Sequence, residues 1–315
     1  MREIKIIEVK SELGAGTRGA SLGVDAIKIA ALDFGSRYFK KYKSVEIPNE
    51  NHLLLESTGS QYAKRISGVL TVAERVTEEI SKTLNNKEFP IVLSGDHSTA
   101  AGTISGIKKA YPKSRLGVIW IDAHADLHSP YTTPSGNMHG MPLAMVLDED
   151  NIESKVNTVD QETINYWYQL KNIGNISPKI IYHDLVYIAL RDTEAPEDYL
   201  LKKNNVKIFS TAEIRKRGVE RVAIDALLYL DQCDLIYVSF DVDSMDAAIS
   251  KGTGTPAANG ITEREAGNLA ARLMTSDKVC CFEMVEVNPT LDKENLMAEN
   301  AFEILLRATN SLIND

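Results

Sequence analysis

The sequence predicts an α/β protein built on an open, doubly wound parallel sheet. Short apolar runs, rich in β-branched residues, alternate along the chain with longer amphipathic stretches. The apolar runs are nearly continuous, as strands must be when helices cover both faces of a parallel sheet. The sequence shows no linker, repeat or low-complexity segment, so we expect one domain over residues 1–315.

Seven runs are predicted to be strands because they are short, apolar and β-branched. They are residues 4–9, 89–93, 116–121, 185–190, 206–209, 235–240 and 279–287. Five longer stretches have the amphipathic pattern of helices. They are residues 61–84, 100–111, 211–230, 263–274 and 299–309. The least regular part, residues 151–177, is expected to be a helical excursion on the surface.

Composition narrows the class of protein. Apolar residues make up 43% of the chain and charged residues 25%, while the net charge of -9 argues against a nucleic-acid surface. Cys233, Cys280 and Cys281 are expected to be buried, reduced thiols, which suits the cytoplasm. Residues 1–4 include no apolar core of a signal peptide, and no apolar run approaches the ~18 residues of a membrane span. We therefore expect a soluble, cytoplasmic protein.

Metal-binding residue types follow three of the predicted strands. In an open α/β sheet, ligands bind at the carboxyl ends of the strands. Alternation along an extended chain puts residues two apart on one side. Four carboxylates and two imidazoles should therefore converge on one edge of the sheet: Asp122, Asp126, Asp241, Asp243, His97 and His124.

This set of side chains suits two divalent cations. A single Asp-x-Asp pair after a strand is usually a turn or a helix cap, but three clusters at three strand ends are hard to explain that way. Six nitrogen and oxygen ligands without a thiolate suit manganese, cobalt, iron or zinc. Two such ions can share a water molecule and lower its pKa enough to make a nucleophile. Without cations, the clustered carboxylates would repel one another.

The same motifs carry a family resemblance. Residues 94–98, 122–126 and 239–243 resemble the three signatures of the ureohydrolase family, which includes arginases, agmatinases and formimidoylglutamases. Residues 14–27, 252–256 and 285–289 resemble further family segments, so the similarity extends over almost the whole chain. The resemblance implies a three-layer α/β/α fold of the arginase-like type. It also implies a centre of two Mn²⁺ ions and a homo-oligomer, either a trimer or a hexamer.

Roles for the predicted ligands follow from the resemblance. One ion would be held by His97, Asp122, Asp126 and Asp241. The other would be held by Asp122, His124, Asp241 and Asp243, with Asp122 and Asp241 bridging the pair. Asp126 would also hydrogen-bond the bridging hydroxide and pass its proton to the leaving amine.

Within the family, residues 129–142 favour the arginase branch. Ser135 and Asn137 match positions that bind an amino acid's α-carboxylate, and His139 matches a proton shuttle or acid. Neutral hydroxyl and amide donors can bind a carboxylate, and histidine titrates near neutral pH. By itself, Ser135-Gly136-Asn137 would indicate only a turn.

The remaining substrate contacts are also implied by the resemblance. Glu286 would pair with a guanidinium group, a charge-assisted contact, and Thr255 would lie beside it. Residues 191–197 resemble the segment that binds an α-amino group, through Glu194 and Glu197. We therefore expect hydrolysis of L-arginine to L-ornithine and urea by attack of the metal-bridging hydroxide.

Two departures from the arginase pattern affect the amino-acid end of this site. His128 stands where arginases typically have Asn, and Glu194 stands where they typically have Asp. A formimidoylglutamase or another guanidino-acid ureohydrolase is therefore the main alternative. Agmatine is less expected because it lacks the carboxylate that Ser135 and Asn137 would bind.

Two other classes are remote alternatives. Residues 14–19 formally fit the G-x-G-x-x-G pattern of an NAD-dependent dehydrogenase, but residues 11–13 separate the glycines from the preceding strand. A non-catalytic relative of the family is also conceivable. It is disfavoured because all six predicted ligands are present.

Overall fold

The computed structural model of this chain describes residues 3–313. These residues contain one eight-stranded sheet in which every neighbouring pair of strands is parallel. The strands are β1 Glu3–Val9, β2 Lys43–Glu46, β3 Glu88–Ser94, β4 Leu116–Ile121, β5 Leu185–Ile188, β6 Lys207–Phe209, β7 Leu235–Asp241 and β8 Val279–Val285. Met1 and Arg2, on which the signal-peptide expectation partly rests, lie outside the described residues.

The order of the strands brings the motifs together. Across the sheet the order is β2-β1-β3-β8-β7-β4-β5-β6. The last two strands of the chain, β7 and β8, therefore lie in the middle, between β3 and β4. Because all the strands are parallel, the carboxyl ends of β3, β8, β7 and β4 meet at one edge, as an open α/β sheet requires for its site.

Helices cover both faces of the sheet and complete a three-layer fold. They are α1 Gly23–Asp33, α2 Tyr38–Lys41, α3 Ile66–Asn85, α4 Ala100–Ala110, α5 Pro142–Leu147, α6 Gln161–Lys171, α7 Ala195–Lys203, α8 Thr211–Arg217, α9 Val219–Tyr229, α10 Glu263–Leu273 and α11 Leu296–Ile313. Successive strand residues point to opposite faces. Thus Ile6 belongs to the core shared with α1, α9, α10 and α11, while Ile7 belongs to the core shared with α3, α4 and α5.

The fold prediction is confirmed, with corrections to individual elements. All seven predicted strands are present, but two of them end two residues early. The run 279–287 ends at Val285, before Glu286 with a φ of 69°, and the run 185–190 ends at Ile188, before Ala189 with a φ of 73°. The stretch 211–230 is two helices, separated at Gly218 with a φ of 81°. The stretch 61–84 becomes helical only at Ile66. Strand β2 and helices α1, α2, α5 and α7 were not predicted.

Two further expectations concern the cysteines and residues 151–177. Cys233, Cys280 and Cys281 are buried thiols that form no disulfide bond. The excursion at 151–177 contains α6, whose Trp167 and Leu170 are buried against the core although much of its surface is exposed. Between residues 3 and 313, no helix has the length and apolar character needed to cross a membrane.

Candidate metal centre

His97 lies at the centre of the site, on the turn that follows β3. The Asp96 carboxylate accepts the Ser98 N–H at 2.9 Å and so caps this turn. The His97 side chain is 1% exposed. Its Nε2 atom lies 2.7 Å from the Ser239 hydroxyl on β7. Because Nε2 contacts Ser239, Nδ1 is the ring nitrogen that faces the centre of the site.

Three carboxylates surround His97 Nδ1. The nearest oxygens of Asp122 and Asp126 are each 3.1 Å away, and that of Asp241 is 3.2 Å away. Nevertheless, His97 Nδ1 and Asp122 Oδ2 are buried without a partner in hydrogen-bonding geometry. Buried polar atoms normally have partners. Orphaned nitrogen and oxygen atoms converging on one point therefore fit a divalent cation.

A second group of ligands adjoins the first. His124 Nδ1 lies 3.0 Å from Asp243 Oδ2 and 3.6 Å from Asp122 Oδ1. In the described part of the chain, the clusters suited to a metal are His97-Asp122-Asp241 and Asp122-His124-Asp243. Asp122 belongs to both clusters, as expected of a bridging ligand. Asp241 belongs only to the first, and its other oxygen accepts the Asp243 N–H at 2.8 Å.

The charges of these groups are strongly coupled when no cation is bound. Burial would lower the pKa of His97, but the surrounding carboxylates raise it well above its ordinary value. Burial also opposes protonation of His124, yet Asp243 and Asp122 raise its pKa. Burial and the charge of Asp122 raise the pKa of Asp126 to about 7. Without cations, protons therefore neutralise part of the cluster, which is the charge that divalent ions would supply.

Glu286 and His139 form a buried pair beside the cluster. Glu286 Oε1 accepts the His97 N–H at 2.9 Å and lies 3.0 Å from His139 Nδ1. Burial would lower the pKa of His139, but the Glu286 carboxylate raises it to about 9. The Glu286 N–H donates to the Gly95 carbonyl, so its left-handed backbone joins the end of β8 to the turn after β3. The pair can hold and transfer a proton next to the ligands.

A cavity of about 300 Å³ opens above the cluster. It is lined by every predicted site residue except Asp122 and Glu286, namely His97, His124, Asp126, His128, Ser135, Asn137, His139, Glu194, Glu197, Asp241, Asp243 and Thr255. Asp122 and Glu286 lie behind these side chains and contact them. The Thr255 hydroxyl donates to Asp243 Oδ2 at 3.1 Å, a contact with a predicted ligand.

His128 contacts the start of α7. Its Nε2 atom lies 3.3 Å from Glu194 Oε2, and its Nδ1 lies 3.1 Å from the Thr132 hydroxyl. Burial lowers the pKa of His128, although Glu194 opposes that shift. The Glu197 carboxylate accepts the N–H groups of Leu127 at 3.1 Å and Glu194 at 3.0 Å. Glu197 thus connects the loop that contains Leu127 and His128 to the first turn of α7.

Sequence reasoning missed residues that support the site. Ser239 alternates with Asp241 on β7, a signal that could have identified it as facing His97. Asp192 also lines the cavity, with Oδ2 3.7 Å from His124 Nε2. Lys64 gave no sequence signal, yet its Nζ atom donates to Asn137 Oδ1 at 3.1 Å.

Comparison with known proteins finds arginases that match over almost the whole chain. The arginase family model matches residues 2–310. The arginase of Brevibacillus brevis is 34% identical, over 96% of each chain. The arginase structure from Bacillus caldovelox has a TM-score of 0.84 and 31% identity, covering 100% of this chain and 99% of that one. An Entamoeba histolytica arginase solved with L-ornithine has a TM-score of 0.83 and 25% identity, with 100% of both chains covered.

Proposed function

We propose that this chain, which belongs to the arginase family and is therefore a metal-dependent ureohydrolase with a binuclear centre, hydrolyses L-arginine to L-ornithine and urea. One observation carries the proposal. Ser135 and Asn137 line the same 300 Å³ cavity as five of the six predicted ligands. A substrate in this cavity would therefore meet amino-acid-binding groups at one end and the metal cluster at the other.

The metals would be held by the six clustered side chains. His97, Asp122, Asp126 and Asp241 would bind one ion, and Asp122, His124, Asp241 and Asp243 the other. We propose Mn²⁺ for both ions, although this ligand set also suits Co²⁺, Fe²⁺ and Zn²⁺. When bound, such a pair lowers the pKa of a shared water and polarises the substrate.

Glu286, His139 and Asp126 would handle the guanidinium group and the protons. Glu286 carries a buried carboxylate that can pair with the guanidinium and orient its carbon toward the attacking water. Asp126 lies among the ligands and would transfer a proton from that water to the leaving amine. His139, held by Glu286 at 3.0 Å, would exchange protons between the cavity and the solvent.

The other end of the cavity would bind the amino-acid portion of arginine. Ser135, Asn137 and His128 would donate to the α-carboxylate. Glu194 and Glu197 would attract the α-ammonium group, and Thr255 would line the channel between the two ends. The E. histolytica arginase, whose structure holds L-ornithine, supports a product of this class.

A urea-release assay on manganese-loaded protein tests the substrate. Arginine, agmatine, guanidinobutyrate and formimidoylglutamate should be compared at equal concentrations, with formamide and ammonia measured for the last. We expect arginine to exceed agmatine in kcat/KM by at least roughly 10²-fold, since an analogue that lacks the carboxylate leaves polar groups unpaired. Turnover of formimidoylglutamate with arginine untouched would overturn the proposal and favour the alternative raised by His128 and Glu194.

The assembly and the location of the protein stay predictions. A homo-oligomer, trimeric or hexameric, is expected from the family resemblance, and light scattering of the purified protein would test it. The cytoplasmic location can be checked by fractionating cells that express the chain.

A further inference from the structure

The carboxylate-binding end of the cavity has no lysine or arginine side chain in its lining. Six of the lining residues are acidic, namely Asp126, Asp192, Glu194, Glu197, Asp241 and Asp243, and none is Lys or Arg. Bound metal ions would offset the negative charge of the carboxylates near the strand ends. They would not offset the acids at the far end, where Glu194 lies. An anionic group entering there gains from a nearby positive charge.

Lys64 is the cation next to this end. It is half-buried on the loop before α3, and its Nζ atom donates to Asn137 Oδ1 at 3.1 Å. Among residues 3–313, no carboxylate lies within 4.0 Å of this Nζ atom. The ammonium charge of Lys64 is therefore directed at the Asn137 amide rather than neutralised by an acidic partner.

Backbone contacts hold the loop that carries Lys64 against the loop that carries Asn137. The Lys64 N–H donates to the Gly136 carbonyl at 2.9 Å. Gly136 has a φ of 73°, and a Cβ atom there would come 2.0 Å from the Gln61 carbonyl oxygen. Only glycine combines this backbone conformation with so close an approach. Lys64 and Asn137 thus stay next to each other because the chain segments that carry them interlock.

The contact also fixes which way the Asn137 amide points. An ammonium group only donates hydrogen bonds, so it must face Oδ1, and Nδ2 points away from it. A carboxylate only accepts, so it can use Asn137 only through Nδ2. A Cβ atom on Gly16 would come 2.5 Å from Nδ2, so glycine at that position leaves the amide room. Without Lys64, the amide would be free to flip and present the wrong atom.

We propose that Lys64 is a specificity-determining residue for the α-carboxylate of the substrate. It holds Asn137 with Nδ2 as the free donor, and it supplies a permanent positive charge next to a lining that contains neither Lys nor Arg. Because it acts through Asn137, it is a positioning residue for binding rather than a catalytic one. This inference rests on the proposed function.

Lys64→Met tests the inference, since methionine keeps much of the side-chain length and removes the charge and the donor. We expect KM for arginine to rise roughly 10- to 100-fold, the range for a lost hydrogen bond to a charged group, with kcat nearly unchanged. KM for agmatine should change much less. Lys64→Arg, which keeps a charged donor, should restore most of the affinity for arginine. Lys113→Met, at an exposed lysine outside the cavity, is the matched control.

Calorimetry separates this inference from the proposed function. Metal-loaded wild-type protein and Lys64→Met should be titrated with L-ornithine and with putrescine, which lacks the carboxylate. Weaker binding of ornithine alone supports the role of Lys64. Equal changes for both ligands, or no change for either, overturn it even if the wild-type protein hydrolyses arginine. Failure of the wild-type protein to release urea from arginine would instead overturn the proposed function.

Discussion

Loading the site with two divalent cations should release protons, and their number follows from the groups around the site. Metal ligands bind in their deprotonated forms, so any proton that the empty site holds must leave. Carboxylates raise the pKa values of His97 and His124 above the ordinary histidine value, so each imidazole carries an extra proton at pH 7. These two groups alone predict the release of two protons.

The carboxyl groups add to this number. With a pKa of about 7, Asp126 holds a proton in about half of the metal-free molecules at pH 7. Burial and the charges of Asp243 and Asp122 raise the pKa of Asp241 well above its usual range. Asp122 contributes none, because although burial opposes ionisation, the two histidines lower its pKa. We therefore expect the release of more than two protons per chain, and ionisation of a shared water would add to that number.

The sign of the pH dependence follows from this release. The metal-free form binds more protons, so raising the pH favours the metal-bound form. Each proton released multiplies the product of the two association constants by ten per pH unit. Near pH 7 that product should rise by at least roughly 10²-fold per unit.

Isothermal titration calorimetry measures the proton number directly. Chelator-stripped protein should be titrated with Mn²⁺ at pH 7 in buffers of different ionisation enthalpy, and the slope of the observed heat gives the number of protons released. Asp126→Asn should reduce the number by about half a proton, while His183→Gln, at an exposed histidine far from the ligands, should leave it unchanged. A slope below one proton, or an affinity independent of pH between about 6 and 8, would refute the reasoning.

The remaining predictions concern individual side chains. Asp241→Ala should lose both cations and nearly all turnover, because Asp241 is proposed to bridge the two ions. Metal analysis against the exposed control Asp231→Ala checks this, and a fully metallated, active variant would contradict it. His139→Ala should retain both cations and slow kcat by roughly 10²- to 10⁴-fold, and an unchanged kcat would exclude its role. His128→Asn combined with Glu194→Asp should lower KM for arginine more than it alters kcat in steady-state assays. The reason is that the shorter side chains remove the 3.3 Å contact between His128 and Glu194, which narrows the amino-acid end of the cavity. A raised KM would contradict this explanation.

Features carried by local patterns could be predicted from the sequence. The apolar run 116–121 coincides with β4, because a strand buried on both faces needs apolar residues throughout. Asp241 and Asp243 approach His97 and His124, respectively, as expected. Alternation is not the reason, because the chain leaves the strand after Asp241 and residues Val242–Ser244 form a 3-10 turn. The parallel sheet then explains why motifs far apart in the chain meet at one edge.

Features that depend on packing or on special backbone geometry could not be predicted. Strand β2 has only one apolar residue among its four, since it is an edge strand with little to bury. The end of β8 depends on the left-handed conformation of Glu286, which its hydrogen bond to the Gly95 carbonyl helps to hold. Lys64 reaches Asn137 from 73 positions away, and no local pattern indicates that contact.

The setting of His97 also gives the protein an optical reporter. The Trp120 indole is fully buried and stacks on the His97 ring, with centroids 4.0 Å apart and planes 4° from parallel. A protonated imidazole at that distance accepts an electron from the excited indole and quenches its emission, so exchange of the proton for Zn²⁺ should brighten Trp120. The second tryptophan of the chain, Trp167, is held on α6 by a 2.7 Å hydrogen bond to Asp150 and serves as an internal reference. We therefore expect that Zn²⁺ binding at the centre can be followed by the protein's own fluorescence, without an attached dye.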